Sequence, residues 1–313
     1  MGPEMRRVLA FTAVAVLVLA GCSSGTSTTG GSPTPSSSPS AAATAASCAK
    51  SATFTKSGVL TVGTDNPAFP PYFAGGETKA HKTWKFNDPF TGKGFEDAVA
   101  YEVAKRMGFT PDQVTWVVAP FAQTYKPGSK NYDFAIEQID YSAKRARAVD
   151  FSDSYYDKAR AVVARKGTPI TKAKSIADLK PFKLATQIGT TDYDFIVNVI
   201  QPSKEPGAYN SLSDAVAAMN AHQVDGLVVD LPTALYMADP FVQEVKNSTV
   251  VGQFPPLPGD PHFGMTFQKG SSLVACVDLA LREMKADATL QSITTEWLSE
   301  KTNVGTVPVF ATS

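Results

Sequence analysis

Carboxylates at the ends of β-rich runs are the side chains of this 313-residue chain best suited to holding charge. Asp65 follows the run Val59–Gly63, and Asp230 follows Val224–Val229. Ligands bind at such carboxyl ends of strands in open α/β sheets. Glu137, Gln138 and Asp140 lie on the strand that precedes Arg145, whose planar guanidinium can bond both oxygens of a carboxylate. Thr191 follows Gly189-Thr190, where a strand turns into a helix, and free N–H groups and the helix dipole favour an anion there. Each residue also has an ordinary reading. Asp65 is a turn residue ahead of Pro67, Asp230 caps a helix at Leu231, Thr191 is a helix N-cap, and Arg145 sits in a surface basic run with Lys144 and Arg147. No Ser/His/Asp order, HExxH or P-loop supports bond-breaking chemistry.

Composition narrows the classes further. With 29 basic and 29 acidic residues the formal charge is zero, which gives no electrostatic footprint for nucleic acid. Apolar residues at 43% and charged residues at 19% fit a globular protein, and the length suggests about two domains. The three His, at 81, 222 and 262, are scattered, and the three Cys include no C-x-x-C. No cofactor is expected.

The N-terminus reads as an address. Arg6 and Arg7 precede an uncharged run, Val8 to Ala20, of signal-peptide length and too short for a membrane span of about 20 residues. Leu19-Ala20-Gly21-Cys22 resembles the lipobox of bacterial lipoproteins. That resemblance implies a signal peptide over 1–21 and a diacylglycerol on Cys22, holding the protein at the outer face of a bacterial cell membrane. The stretch to Ser47 is almost only Ser, Thr, Gly, Pro and Ala, so 22–47 is expected to be a flexible tether. Cys48 and Cys276 remain, and outside the cytoplasm two leftover thiols usually pair. A disulfide between them is expected, the alternative being two separate buried thiols.

From Val59 onward strands and helices alternate, the pattern of an α/β protein. Strands are expected at Val59–Gly63, Val114–Val118, Tyr132–Ile139, Ala159–Arg165, Phe182–Thr186, Val224–Val229 and Phe263–Phe267. Helices are expected at Phe95–Met107, Asp192–Ile200, Leu212–Ala221, Leu273–Met284 and Leu290–Leu298, with a loop over Ala74–Lys93.

Several of these segments, in order, resemble the type 2 periplasmic binding proteins, the polar-amino-acid family that feeds ABC importers. They are Val62-Gly63-Thr64-Asp65, Gly94-Phe95-Glu96-Asp97, Ser142-Ala143-Lys144-Arg145, and Val149-Asp150-Phe151-Ser152-Asp153-Ser154-Tyr155-Tyr156. Further on come Gln187-Ile188-Gly189-Thr190-Thr191, Asp230-Leu231-Pro232-Thr233, Phe263 to Ser271, and Glu296-Trp297-Leu298. The resemblance implies two α/β lobes of mixed sheets flanked by helices. Lobe 1 would be 57–157 plus 262–313 and lobe 2 158–261. Two hinge strands, Ser154–Ala159 and Pro258–Phe263, would let the lobes close on a ligand.

By the same resemblance Arg145 grips an α-carboxylate, helped by the Thr191 turn after Gln187, and Asp230 takes the α-ammonium. Asp65 faces the ligand side chain, and Phe69 and Phe121 sandwich it, although both rings are equally plausible in a core. Where relatives often carry Ala, Gly and Ser or Thr, this chain has Glu137, Gln138 and Asp140. An acidic excess of Asp65, Asp140 and Asp230 against Arg145 points to a cationic ligand. Alternatively Asp140 pairs with Gln138 or a water. The expected function is a monomeric, non-enzymatic lipoprotein that binds a basic amino acid or glutamine and delivers it to a permease. The alternatives are a cyclohexadienyl-type dehydratase, using Asp140 or Glu137 as acid, and a ligand-sensing domain.

Overall fold

Runs with every residue buried, such as Leu60–Thr64 and Gly226–Asp230, are what strands covered on both faces require. A computed structural model describes residues 43–257, 259–299 and 307–312. The signal segment 1–21, Cys22 and the tether up to residue 42 lie outside the described residues, as does Pro258 of the expected second hinge.

The chain begins with α1 (Ala45–Ala49), β1 (Leu60–Thr64), α2 (Phe95–Arg106), β2 (Val114–Val118), α3 (Phe121–Thr124), β3 (Phe134–Ala135) and β4 (Val149–Phe151). Next come β5 (Tyr156–Asp157), β6 (Arg160–Arg165), β7 (Leu184–Gln187), α4 (Thr191–Phe195), β8 (Gly207–Tyr209), α5 (Leu212–Asn220), β9 (Gly226–Asp230), α6 (Leu231–Ala238) and β10 (Ser248–Gln253). β11 (His262–Phe263), β12 (Thr266–Gln268), α7 (Leu273–Ala286) and α8 (Thr289–Thr294) follow.

Two five-stranded mixed sheets result, in the orders β2-β1-β3-β12-β4 and β10-β6-β9-β7-β8. Each has its own core, one around Val62, Phe95, Phe267 and Leu281, the other around Val162, Leu184, Leu227 and Ile196. A two-stranded antiparallel ribbon, β5 with β11, lies in the chain segments between them, pairing Tyr156 with Phe263 and Asp157 with His262. We refer to the two sheets with their helices as the first and second lobes.

Gly94 fixes one junction that matters for the site. Its φ is +118°, and a Cβ there would stand 2.3 Å from the Tyr72 carbonyl oxygen. Only glycine allows both the backbone angle and that approach. The first N–H groups of α2 therefore bond the carbonyls of Pro71 and Tyr72, at 2.9 Å for Phe95 and 3.1 Å for Glu96. The helix start is thus satisfied by protein, and the Tyr72 ring meets Phe95 edge-on, centroids 6.2 Å apart.

The structure departs from the sequence reading in several places, among them strands β4, β8 and β10, which it did not include. The tether was expected to reach residue 47, yet residues 45–47 are in α1. Ala45 is buried, its N–H bonds Glu283 of α7 at 2.9 Å, and the Cys48–Cys276 disulfide joins the two helices. The Ala residues that look like linker are what allows close packing on α7. Of Tyr132–Ile139, only Phe134–Ala135 pairs in the sheet, and Gln138 turns out with φ +46°. Phe263–Phe267 splits between β11 and β12, because Phe263 belongs to the ribbon and Thr266 to the first sheet. Finally, residues 262–313 were assigned entirely to the first lobe, yet 307–312 lie on the second. Val309 bridges Gln253, Ala311 bridges Ser175, and buried Phe310 packs on Phe254 with ring centroids 5.1 Å apart.

The Ala74–Lys93 segment is loop with one 3₁₀ turn, Pro89–Thr91. It supports the lobe from outside: Asn87 donates to the Ala68 carbonyl at 2.9 Å, and Asn66 donates to that of Thr83 at 2.8 Å.

Candidate functional site

Between the lobes lies a cavity of about 400 Å³, walled by the ends of β1 and β9 and by the segment around Glu137–Asp140. Asp65, Phe69, Phe121, Gln138, Asp140, Gln187 and Asp230 line it. Arg145 and Thr191, the expected carboxylate clamp, do not appear among its described lining residues.

The reason is that this clamp is satisfied from within. Arg145 donates to the Asp140 carbonyl at 2.8 Å and, across the lobes, to the Gly189 carbonyl at 2.9 Å. Its guanidinium stacks on Tyr125, 4.2 Å from the ring centroid, with Phe121 at 5.3 Å. The Thr191 hydroxyl donates to Asp140 Oδ2. Thr190, not Thr191, is the cap of α4, accepting from Tyr193 N at 3.2 Å.

Lys158 supplies the cavity's positive charge, and sequence reading missed it. It sits between β5 and β6, and its Nζ lies 2.9 Å from Asp140 Oδ2 and 2.7 Å from Asp192 Oδ1. Burial alone would lower its pKa, but Asp140 and Asp192 outweigh that and hold it above the ordinary lysine value. Arg160 extends the chain of charges, with Nε 2.9 Å from Asp192 and one terminal nitrogen 2.7 Å from Asp260. Asp140 therefore pairs with Lys158 rather than with Gln138. No local pattern marks Lys158, because its two carboxylate partners come from elsewhere in the chain. The only hint was three unmatched acids.

Asp230 serves two lobes at once. It caps α6, Oδ1 accepting from Thr233 N and Oδ2 from Thr233 Oγ1, both at 2.8 Å. Tyr72 of the first lobe donates its hydroxyl to Oδ1 at 2.6 Å. Burial raises the pKa of Asp230, against the pull of Lys158 and these donors.

The far side is acidic without a cation. Glu137 is buried and hydrogen-bonded with Asp65, and its pKa is pushed well above the usual carboxyl range, by burial first and then by the Asp65 charge. Its Oε2 has no hydrogen-bond partner among the described residues, and the same holds for Asp140 Oδ1. Behind it Glu96 is pushed up to about 7 by burial, although Tyr155 and Gln138 donate to it. The Gln138 backbone N–H reaches Glu96 Oε1 at 2.6 Å and its side-chain amide bonds the other oxygen, so the amide is engaged with Glu96. Phe69 packs on Phe86 with ring centroids 5.3 Å apart, and Gln187 donates to the Asn210 carbonyl at 3.2 Å. Among the described residues no group of three His, Cys, Asp or Glu is arranged to hold a metal ion.

Comparison with known proteins was consistent across sequence and structure. The family model for bacterial extracellular solute-binding proteins, family 3, matches residues 60–300. The L-cystine-binding protein TcyA of Bacillus subtilis is 30% identical over 251 residues, covering 78% of this chain and 83% of that protein. The ABC transporter glutamine-binding protein GlnH of the same organism is 26% identical over 221 residues, covering 68% and 76%. Among solved structures, an ancestral arginine-binding protein bound to arginine superposes with a TM-score of 0.60 at 27% identity, over 77% of this chain and 99% of that one.

Proposed function

We propose, on the premise that this chain belongs to family 3 of the bacterial extracellular solute-binding proteins, that it captures a basic amino acid between its lobes and delivers it to the permease of an ABC importer. Glutamine is the neutral alternative. The observation that carries this reading is the charge of the cavity wall: among the described lining residues Asp65, Glu137, Asp140, Asp192, Asp230 and Glu244 stand against one cation, Lys158. A buried acid without a cation is costly, and a cationic ligand relieves that cost. Relatives named for cystine, glutamine and arginine binding support the amino-acid class.

In this reading Asp230 receives the α-ammonium and Asp65 the side-chain cation, with Phe69 and Phe121 as flanking rings and Gln187 at the edge. The α-carboxylate goes to the corner of Lys158, Thr191 and Arg145, where the Asp140 carboxylate now sits. Arg145 turns to the ligand once the Gly189 carbonyl moves away with the second lobe. The β5–β11 ribbon is the hinge. The protein is a monomer that performs no chemistry, and Cys22 carries the lipid that holds it outside the membrane.

Calorimetric titration after unfolding and refolding, to strip bound solute, tests the ligand class. Saturable binding of arginine, lysine or ornithine supports it. Silence with every polar amino acid overturns it. For the anchor, Cys22→Ser is expected to release the protein from the membrane fraction.

A further inference from the structure

Two carboxyl groups, Asp65 just past β1 and Glu137 just past β3, both line the cavity wall, where Glu137 is hydrogen-bonded with Asp65. A hydrogen bond between two carboxyl groups needs one proton, because two carboxylates offer acceptors only. Among the described residues no positive side chain reaches the pair. The Lys158 ammonium is committed to Asp140 and Asp192. The titratable groups that face Glu137 are Asp65, Glu96 of α2 and the Tyr132 hydroxyl, and none of them carries positive charge. Glu137 Oε2 is nonetheless buried and has no hydrogen-bond partner among the described residues. It is an unpaired acceptor on a residue of the cavity wall.

We propose that Asp65 and Glu137 form a proton-exchanging subsite for the ligand's side chain: in the empty cleft they share one proton, and an entering guanidinium or ammonium displaces it to solvent. The exchange balances simply. The Glu137 O–H bond breaks, its electron pair stays on the carboxylate, the proton passes to buffer, and the ligand cation takes its place between the two groups. The inference rests on the basic-amino-acid reading above and adds to it a linkage between binding and pH.

That linkage has a definite sign. Glu137 is held above the usual carboxyl range by burial and by the Asp65 charge, so it keeps its proton at pH values where an ordinary glutamate does not. Within that window a cation competes with a proton, and its affinity rises roughly tenfold per pH unit. Above the window the affinity levels off. A neutral side chain, such as that of glutamine, accepts or donates to the protonated pair without displacing anything.

Titration of the full-length protein, purified in mild detergent, with arginine, lysine and ornithine in buffers of different ionisation enthalpy reads the protons directly. About one proton released per bound cation at pH 7 is expected, with none released on binding glutamine. Glu137→Gln is expected to abolish the release and weaken cation binding at high pH more than at low pH, and Asp65→Asn serves as a second variant. Cation binding without proton release, or release that survives in Glu137→Gln, overturns the proposal while leaving the amino-acid reading intact. Binding of glutamine alone ends the cationic reading and this proposal together. No binding by any amino acid ends the functional reading itself.

Discussion

Lys158 Nζ and Asp140 Oδ2 meet 2.9 Å apart at the interlobe cavity, the lysine from the link between β5 and β6 and the aspartate from the segment after β3. Both are almost entirely out of water. Removing one member of such a pair leaves a buried charge uncompensated, which costs about 3–5 kcal/mol. Lys158→Met is expected to destabilise by that order in urea denaturation at pH 7. The double variant Lys158→Met/Asp140→Asn should recover much of the loss. A single variant as stable as the parent would show that the pair is not closed in solution.

The same pair predicts a gain of binding. Asp140 occupies the donors of Lys158 and Thr191 that a ligand carboxylate needs. Asp140→Ser keeps a small polar group there and frees both donors. Affinity for an amino acid that binds the parent is expected to rise at least tenfold, read by calorimetry. A fall would place the carboxylate elsewhere.

Tyr72 and Asp230 predict a lobe-to-lobe contribution. The 2.6 Å hydrogen bond runs from the Tyr72 hydroxyl to the cap of α6. A hydrogen bond to a charged group contributes about 1.5–3 kcal/mol. Tyr72→Phe is expected to cost that much stability and to raise the radius of gyration of the unliganded protein in small-angle scattering. An unchanged radius would mean that this bond does not hold the lobes together.

Stability should decline with pH between the ordinary and raised values of Glu96. Its folded-state pKa is pushed up to about 7, chiefly by burial, against an ordinary value of 4.5. In that window the folded state binds more protons than the unfolded chain, so the contribution is full below about pH 4.5 and lost as pH rises through 7. The loss is on the order of 3 kcal/mol. Asp97, buried and pushed up to about 9, extends the same trend to higher pH. Urea midpoints at pH 5 and pH 8 should therefore differ, and Glu96→Gln should reduce the difference. A parent protein more stable at pH 8 than at pH 5 would contradict the burial of these acids.

Phe310 tests the crossing of the C-terminal segment onto the second lobe. Its ring covers Gly252 and packs on Phe254. Phe310→Ala is expected to cost about 3–5 kcal/mol, with increased hydrogen exchange in β10 as its local signature. Increased exchange confined to the first lobe would contradict that packing.

Much of the framework was legible because its physics is local. Strands such as Val114–Val118 announce themselves by continuous β-branched and aromatic residues, and α7 by its spacing of apolar side chains over Leu273–Met284. Asp65 and Asp230 were legible for the same reason, since the residue after a buried strand stands at the sheet edge where the cleft opens. Gln138 lines the cavity, but the left-handed turn at φ +46° that aims its amide at Glu96 has no mark in the sequence.

What the sequence by itself determined is therefore the kind of protein: alternating elements, acids at strand ends, and motifs in family order. The tertiary structure alone decided which charges meet. Lys158 is 18 positions from its partner Asp140 and far in the chain from Asp192 as well, and Tyr72, which reaches Asp230 from the other lobe, is 158 positions away. Electrostatic pairing in a buried cleft depends on distance and dielectric, which spacing along the chain does not encode. For that reason Arg145, the residue most conspicuous in sequence, is stacked on Tyr125 and bonded to backbone carbonyls, while among the described residues Lys158 is the cation that lines the cavity.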